Sequence, residues 1–266
     1  MLSNIPKDKI IFNSDLINIE EYEKLKLSFS DNTKEEFDYI VAADGVYSRT
    51  KEILFKKEGT PKYFNSIALR GNIQNFENSD ISLYLGSNFH FVIYPINQNN
   101  EFNFISIVRK KLVESEITNR SLFKDKIFIN NLMSQISSKS DLNLSELVNE
   151  IKCFPIFVSK KIKIPSNKNI FLMGDAFFSF PPSFAQGASQ SIESANDLFN
   201  DLNNNLSNYY KKRVLKTKQI NYRSSINHHA FHIANPINVF FRNIFLKYLS
   251  KNKSFLENYL GKIYKN

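Results

Sequence analysis

A chain of 266 residues with 42% hydrophobic and 23% charged side chains can bury a sizeable core in one large domain or two modest ones, which excludes a disordered class. Its single cysteine, Cys153, excludes an intramolecular disulfide and fits a reducing compartment. The net charge of +9 is concentrated from Lys211 onward, where Glu257 is the only acid. That basic end is read as a solvated helical face: nucleic acid is not expected as a partner, and a membrane surface is allowed but not favoured.

Residues 1–20 carry Lys7, Asp8, Lys9, Asp15 and Glu20, which argues against a secretory h-region. No apolar run reaches the roughly 18 residues of a spanning helix, so the expected location is cytoplasmic. Residues 9–19 and 22–29 read as two strands; in the second, Tyr22, Leu25, Leu27 and Phe29 alternate with polar residues. Residues 37–43 form a short apolar run, expected to be a buried strand that ends in a sharp turn at Asp44-Gly45. A helix is expected over 46–57.

Segments 66–75, 81–86, 89–96 and 102–109 are short and β-rich, which predicts an antiparallel sheet with loops at 75–80 and 97–100. Helices are expected over 121–137 and 143–151. Residues 153–158 read as an edge strand, because Pro155 cannot donate to a ladder. Residues 169–173 form a second buried strand, running into Gly174-Asp175. Residues 186–203 are expected to be helical, as are 206–266 in broken fashion. Within the latter, the apolar stretch Val239–Leu249 is expected to pack on the body of the protein.

Two strand-to-turn motifs carry chemistry. In Asp38-Tyr-Ile-Val-Ala-Ala-Asp44-Gly45, a strand delivers an Asp-Gly at its carboxyl end, where open α/β sheets bind ligands. Asp44 either accepts from ribose hydroxyls or caps the following helix; the sequence leaves both readings open. In the second motif, Gly174-Asp175-Ala176 is followed by Pro181-Pro182-Ser183-Phe184-Ala185-Gln186-Gly187-Ala188, a stiff loop feeding a helix start. Free N–H groups and positive potential at such a start suit an anion or a polarised carbonyl.

In order and spacing, these motifs resemble the single-component FAD-dependent aromatic hydroxylases, the salicylate and 4-hydroxybenzoate hydroxylase group of flavoprotein monooxygenases. Asp44-Gly45 is similar to the family's Asp-Gly motif, which touches FAD and the path of NAD(P)H. Gly174-Asp175 is similar to its Gly-Asp motif, whose acid binds the ribityl chain. Gln186, Gly187 and Ala188 correspond to the backbone at the pyrimidine edge of the flavin, with Pro182 on the flavin side. Leu69-Arg70-Gly71, Phe91-Val-Ile-Tyr94-Pro95, Asn103-Phe-Ile, Asn221-Tyr-Arg-Ser-Ser225 and Phe231-His232 are weaker echoes of the same group.

The resemblance implies an α/β (α+β) chain. Its parts would be a partial, three-layer Rossmann-like FAD-binding domain lacking the N-terminal βαβ unit, an antiparallel β-sheet substrate domain, and C-terminal helices. The boundaries are FAD-domain segments at 1–62 and 151–205, a substrate sheet at 63–150 and helices at 206–266. It also implies cofactors FAD and NAD(P)H, molecular oxygen, and a small-molecule substrate in a pocket with Arg70, Tyr94, His90 and Phe184 as candidates. No residue stands out as a catalytic base. His228 and His232 share a helix face, but no metal site is expected.

Several positions depart from the family pattern. None of the 7 glycines forms the Gly-x-Gly-x-x-Gly turn that cradles the ADP half of FAD. Phe178, Phe184, Ser189 and Lys51 replace the usual His, Gly, Asn and Arg. Two alternatives therefore stay open: a non-hydroxylating flavoenzyme of the same superfamily (epoxidase, halogenase or reductase), and an inactive fragment or binding module.

Overall fold

A computed structural model describes residues 4–74, 76, 80–96, 100–140, 142–202, 208–259 and 261–263. In chain order the elements are β1 (Leu16–Glu21), β2 (Leu25–Phe29), β3 (Lys34–Phe37), β4 (Ile40–Ala42), α1 (Arg49–Phe55), β5 (Lys62–Gln74), β6 (Ser82–Gly86), β7 (Phe89–Pro95) and β8 (Glu101–Arg109). Then come α2 (Glu114–Thr118), α3 (Lys126–Ser137), α4 (Leu144–Leu147), β9 (Val148–Val158), β10 (Ile170–Leu172), α5 (Gly187–Leu202), α6 (Tyr209–Phe231), α7 (Pro236–Leu249) and α8 (Lys253–Tyr259). The chain divides into two units. One holds Met1–Lys62, Val158–Phe180 and Gln186–Leu215; the other holds Tyr63–Phe157, Pro181–Ala185 and Lys216–Asn266. The expected FAD-domain segment 151–205 is thus shared, with 151–157 and 181–185 in the second unit.

In the first unit, β1, β2 and β3 form an antiparallel meander. Leu25 and Leu27 of β2 bury against Ile170, because alternation puts both on one face. Residues 9–15 are not part of the first strand: Asn13 takes a left-handed backbone (φ 58°), which ends extended structure there. β3, with the sequence KEEF, is exposed throughout; its charges guard a sheet edge and hid it from a reading based on apolar alternation.

β4 and β10 form a parallel pair, with Ile40, Val41 and Ala42 opposite Ile170, Phe171 and Leu172. β10 is fully buried, as its sequence implies. β4 is not: Val41 is 47% exposed, and among the described residues β4 pairs with β10 alone. The ladder uses the Ile40 N–H and the Ala42 carbonyl, so the Val41 backbone faces away from β10. It faces a cleft of about 730 Å³ lined by Ser14–Ile17, Ile40–Asp44, Arg49 and Thr50. On the far side of β10, Tyr209 Oη donates to the Leu172 carbonyl, while Tyr210 Oη accepts from the Leu172 N–H and donates to the Ile170 carbonyl. Two tyrosine hydroxyls therefore satisfy the edge that no strand covers.

The second unit is built on a five-stranded sheet in the order β6-β7-β8-β5-β9. Ile67, Leu69 and Ile73 of β5, Phe89, Phe91 and Ile93 of β7, and Phe102, Phe104 and Val108 of β8 share one face. Ile129, Leu132, Met133 and Ile136 of α3 cover that face at helical spacing. The expected helix over 143–151 is cut short, because residues 148–151 start β9. Gly71 allows that pairing: a Cβ there would lie 2.4 Å from Val148 Cγ1 and 2.7 Å from the Asn149 carbonyl oxygen. The expected loops at 75–80 and 97–100 lie largely outside the described residues. No helix among the described residues is long and apolar enough to cross a membrane.

Candidate functional site

β10 ends in the turn Gly174–Ala176. Gly174 has φ +57°, and a Cβ on it would lie 2.6 Å from Ser191 Oγ. Glycine is required here twice over, by backbone conformation and by the close approach of α5. Its N–H is held by Ser194 Oγ, and its carbonyl accepts from the N–H groups of Phe177 and Phe178. The turn is therefore fixed by α5, and Asp175 is presented from it half-buried. Burial raises the Asp175 carboxyl above its ordinary range. Ser191 and Ser194 were not singled out in the sequence, although their i, i+3 spacing puts them on one helix face.

α5 starts at Gly187, with the Gln186 carbonyl accepting from Gln190 N–H. Ser189 Oγ folds back onto the carbonyl and side-chain oxygens of Gln186. Nothing lies within 4 Å of a Cβ placed on Gly187. Among the described residues no contact therefore bars a side chain at this position, and Ala188 beside it is exposed. The start of this 16-residue helix carries first-turn N–H groups without an intrahelical partner and the positive end of the helix dipole.

At the Asp-Gly motif, Gly45 has φ +78° and open space around it, so backbone conformation alone requires glycine. Asp44 Oδ2 accepts from Thr50 N–H at 3.0 Å, and Ser48 caps α1 by accepting from Lys51 N–H. Asp44 thus makes the bond that the helix-capping reading calls for. Lys51, where the family has Arg, is buried, and Nζ donates to Ser159 Oγ and to the Phe177 carbonyl at 3.2 and 3.1 Å. It ties the Asp-Gly helix to the segment just after Asp175. Burial lowers its ammonium to about 8, with Asp44 opposing the shift. Phe178 is a core residue packed with Ala42 and Leu172.

In the second unit, Arg70 and Tyr94 lie on the sheet face opposite the phenylalanine core. Arg70, Ile105 and Val92 are in register across β5, β8 and β7, and Asn72, Asn103 and Tyr94 form the next row. Asn103 Nδ2 donates to Tyr94 Oη. Pro182 is exposed at the start of a short 3-10 turn, and the Phe184 ring meets Tyr259 edge-on at 5.9 Å.

His90 is on the same face as Tyr94 but is buried against α6. Its Nδ1 lies 2.8 Å from His232 Nε2, and His228 Nδ1 lies 3.0 Å from Ser183 Oγ. Three imidazoles thus meet, a convergence that only the His228–His232 spacing hinted at. Burial lowers His90 to about 3 and His228 to about 4, and pushes His232 the same way. Among the described residues no group has the geometry of a metal site.

A strand-end carboxylate, the open start of α5 and two glycines without neighbours suit the flavin portion of FAD. No Gly-x-Gly-x-x-Gly turn is present to hold the ADP portion.

The sequence pattern of the FAD binding domain family matches residues 20–226. The 6-hydroxynicotinate 3-monooxygenase of Bordetella bronchiseptica is 25% identical over 215 residues, covering 73% of this chain and 52% of the relative. A 3-amino-4-hydroxybenzoate 2-monooxygenase of Streptomyces platensis is 23% identical over 230 residues, 80% of this chain and 56% of the relative. The chain spans about half the length of these curated relatives. Among solved structures, Klebsiella pneumoniae HpxO complexed with FAD and uric acid superposes with a TM-score of 0.77 at 16% identity, over 97% of this chain and 68% of that one. A salicylate hydroxylase substrate complex gives 0.70 at 15% identity, over 90% and 67%. At these identities the structural likeness establishes the fold.

Proposed function

The chain belongs to the FAD binding domain family, and from that premise we propose that it holds the flavin portion of FAD in an NAD(P)H-driven monooxygenase acting on an aromatic or similarly electron-rich small molecule. The observation that carries this reading is the Gly174–Asp175 turn, locked to α5 and set beside the open helix start at Gly187. When bound, FAD would take electrons from NAD(P)H and supply the oxygen-activating chemistry.

Each part of the chain would then have a task. Asp175 accepts from a hydroxyl of the ribityl chain. The N–H groups at the start of α5 polarise the flavin carbonyl edge and favour negative charge there. Lys51 holds the Asp-Gly helix and the segment after Asp175 in register. On the substrate side, Arg70 offers a cation to an acidic substituent, and Tyr94, fixed by Asn103, offers a hydroxyl. The apolar residues between them, Val92 and Ile105, keep water from the reacting ring.

The ADP portion needs a glycine-turn βαβ unit. Such a unit would continue the β10–β4 sheet at the uncovered edge of β4. The test is to join a unit of that kind ahead of the chain and follow flavin through gel filtration, then measure NAD(P)H oxidation and oxygen uptake with hydroxylated aromatic acids. Retained yellow flavin and substrate-stimulated oxygen uptake support the reading. Retained flavin with NAD(P)H oxidation but no hydroxylated product would favour a non-hydroxylating member of the superfamily.

A further inference from the structure

The apolar helix α7 does not pack as its sequence suggests: none of its residues is buried. Ile237, Phe240, Phe241, Ile244, Phe245 and Tyr248 recur at i, i+3, i+4, i+7, i+8 and i+11, which aligns them in one stripe. All six are between 52% and 67% exposed. Val239, Arg242, Leu246 and Leu249 lie on the other side, half-buried, and Arg242 Nη1 donates to the Ala230 carbonyl. The stripe therefore faces outward from a helix anchored by its opposite side. Its geometry is set in advance: Pro236 stands at the first helical position, and Asn235 caps the helix by accepting from the N–H groups of Ile237 and Asn238.

Charge indicates what covers it. Between Asp201 and Glu257 the sequence has ten Lys and Arg and no Asp or Glu. Lys247 borders the stripe, and Lys251 and Lys253 follow it, all exposed and none paired with a carboxylate among the described residues. Two copies apposed along this stripe would bring only cations to each other's rims. An anionic bilayer offers the opposite charge and an apolar interior together. A helix of 14 residues is about 21 Å long, too short to cross a bilayer of roughly 30 Å. We propose that α7 is an interfacial helix that lies flat in the headgroup region of an anionic membrane, with its Phe-rich stripe inserted and its lysines on the lipid phosphates.

The test is flotation of the purified chain with phosphatidylserine–phosphatidylcholine vesicles and with phosphatidylcholine vesicles alone, at low and high salt. Binding is expected to the anionic vesicles only and to fall at least tenfold in high salt. Phe241→Ser with Phe245→Ser should abolish it without lowering the melting temperature, since both rings are exposed. Lys247→Gln, Lys251→Gln and Lys253→Gln should each weaken it roughly fivefold. Because the chain has no tryptophan, Phe245→Trp places a single indole in the stripe, and its emission should shift to the blue on anionic vesicles. Failure to float, or equal flotation of the double serine variant, would overturn the proposal. So would a dimer in gel filtration that the same variant dissociates, because a second copy would then cover the stripe.

Discussion

Two glycines separate folding from binding at the scale of single residues. Gly174→Ala meets both a left-handed backbone and Ser191 Oγ at 2.6 Å, and is expected to destabilise the first unit by about 1–3 kcal/mol in urea titrations. Gly187→Ala meets nothing; its stability should change by less than about 0.5 kcal/mol, while flavin affinity falls. Equal loss of stability in both variants would contradict the assignment of open space at Gly187 to a ligand. Asp175→Ala should weaken flavin binding roughly tenfold to a hundredfold, the value of a charged hydrogen bond of about 1.5–3 kcal/mol, with little effect on stability. Lys51 is expected to leave a mark in alkali. Its ammonium is lowered to about 8 in the folded chain, so the unfolded state binds more protons between there and its ordinary value near 10.5. Stability should rise with pH across that window, and Lys51→Met should remove the rise.

At the scale of elements, the histidines that fasten α6 to β7 make the second unit sensitive to acid. His90, His228 and His232 face one another, with Arg109 on β8 and His229 nearby. All three are held neutral, well below the ordinary imidazole value near 6.5. The unfolded chain therefore takes up protons first, and stability is lost as pH falls below about 6.5. The loss from pH 7 to pH 5 is at most about 2 kcal/mol per imidazole. His228→Asn, which keeps a polar atom for Ser183, should flatten the profile measured by denaturant titration at a series of pH values. An unchanged profile would place the acid response elsewhere. This cluster also marks the limit of sequence reading. The i, i+4 spacing of His228 and His232 at the end of α6 was legible, but the arrival of His90 from 142 positions before His232 was not, because only the fold brings it there. The sheet of β5 to β8 was legible from short β-rich segments separated by turn residues, whereas β3 was hidden by its charges and the start of β9 by the helical pattern of residues 143–151. The tyrosine caps on β10 carried no signal either. Tyr209→Phe is expected to cost about 1–3 kcal/mol, since it leaves one carbonyl contact of β10 unmade in a buried place.

For the molecule as a whole, the proposed function divides the FAD site between this chain and a dinucleotide-binding unit. The motifs that the sequence made legible, Asp44-Gly45 and Gly174-Asp175, follow the carboxyl ends of the two parallel strands, as the apolar runs before them predicted. The residues beneath them, Lys51, Ser191, Ser194, Tyr209 and Tyr210, are fixed by packing and were not read from the motifs. On the proposed reading, the strand-end carboxylate of Asp175 and the start of α5 in the first unit serve the flavin portion. On the proposed reading, a dinucleotide-holding unit would extend the sheet at the edge of β4, where Val41 is half exposed to a cleft. The most direct measurement is a fluorescence titration of the 266-residue chain with riboflavin and with FAD, each repeated in the presence of ADP. If the chain holds only the flavin portion, both ligands bind weakly and alike, ADP does not compete, and Asp175→Ala removes both signals. Tight binding of FAD alone, displaced by ADP, would contradict the account.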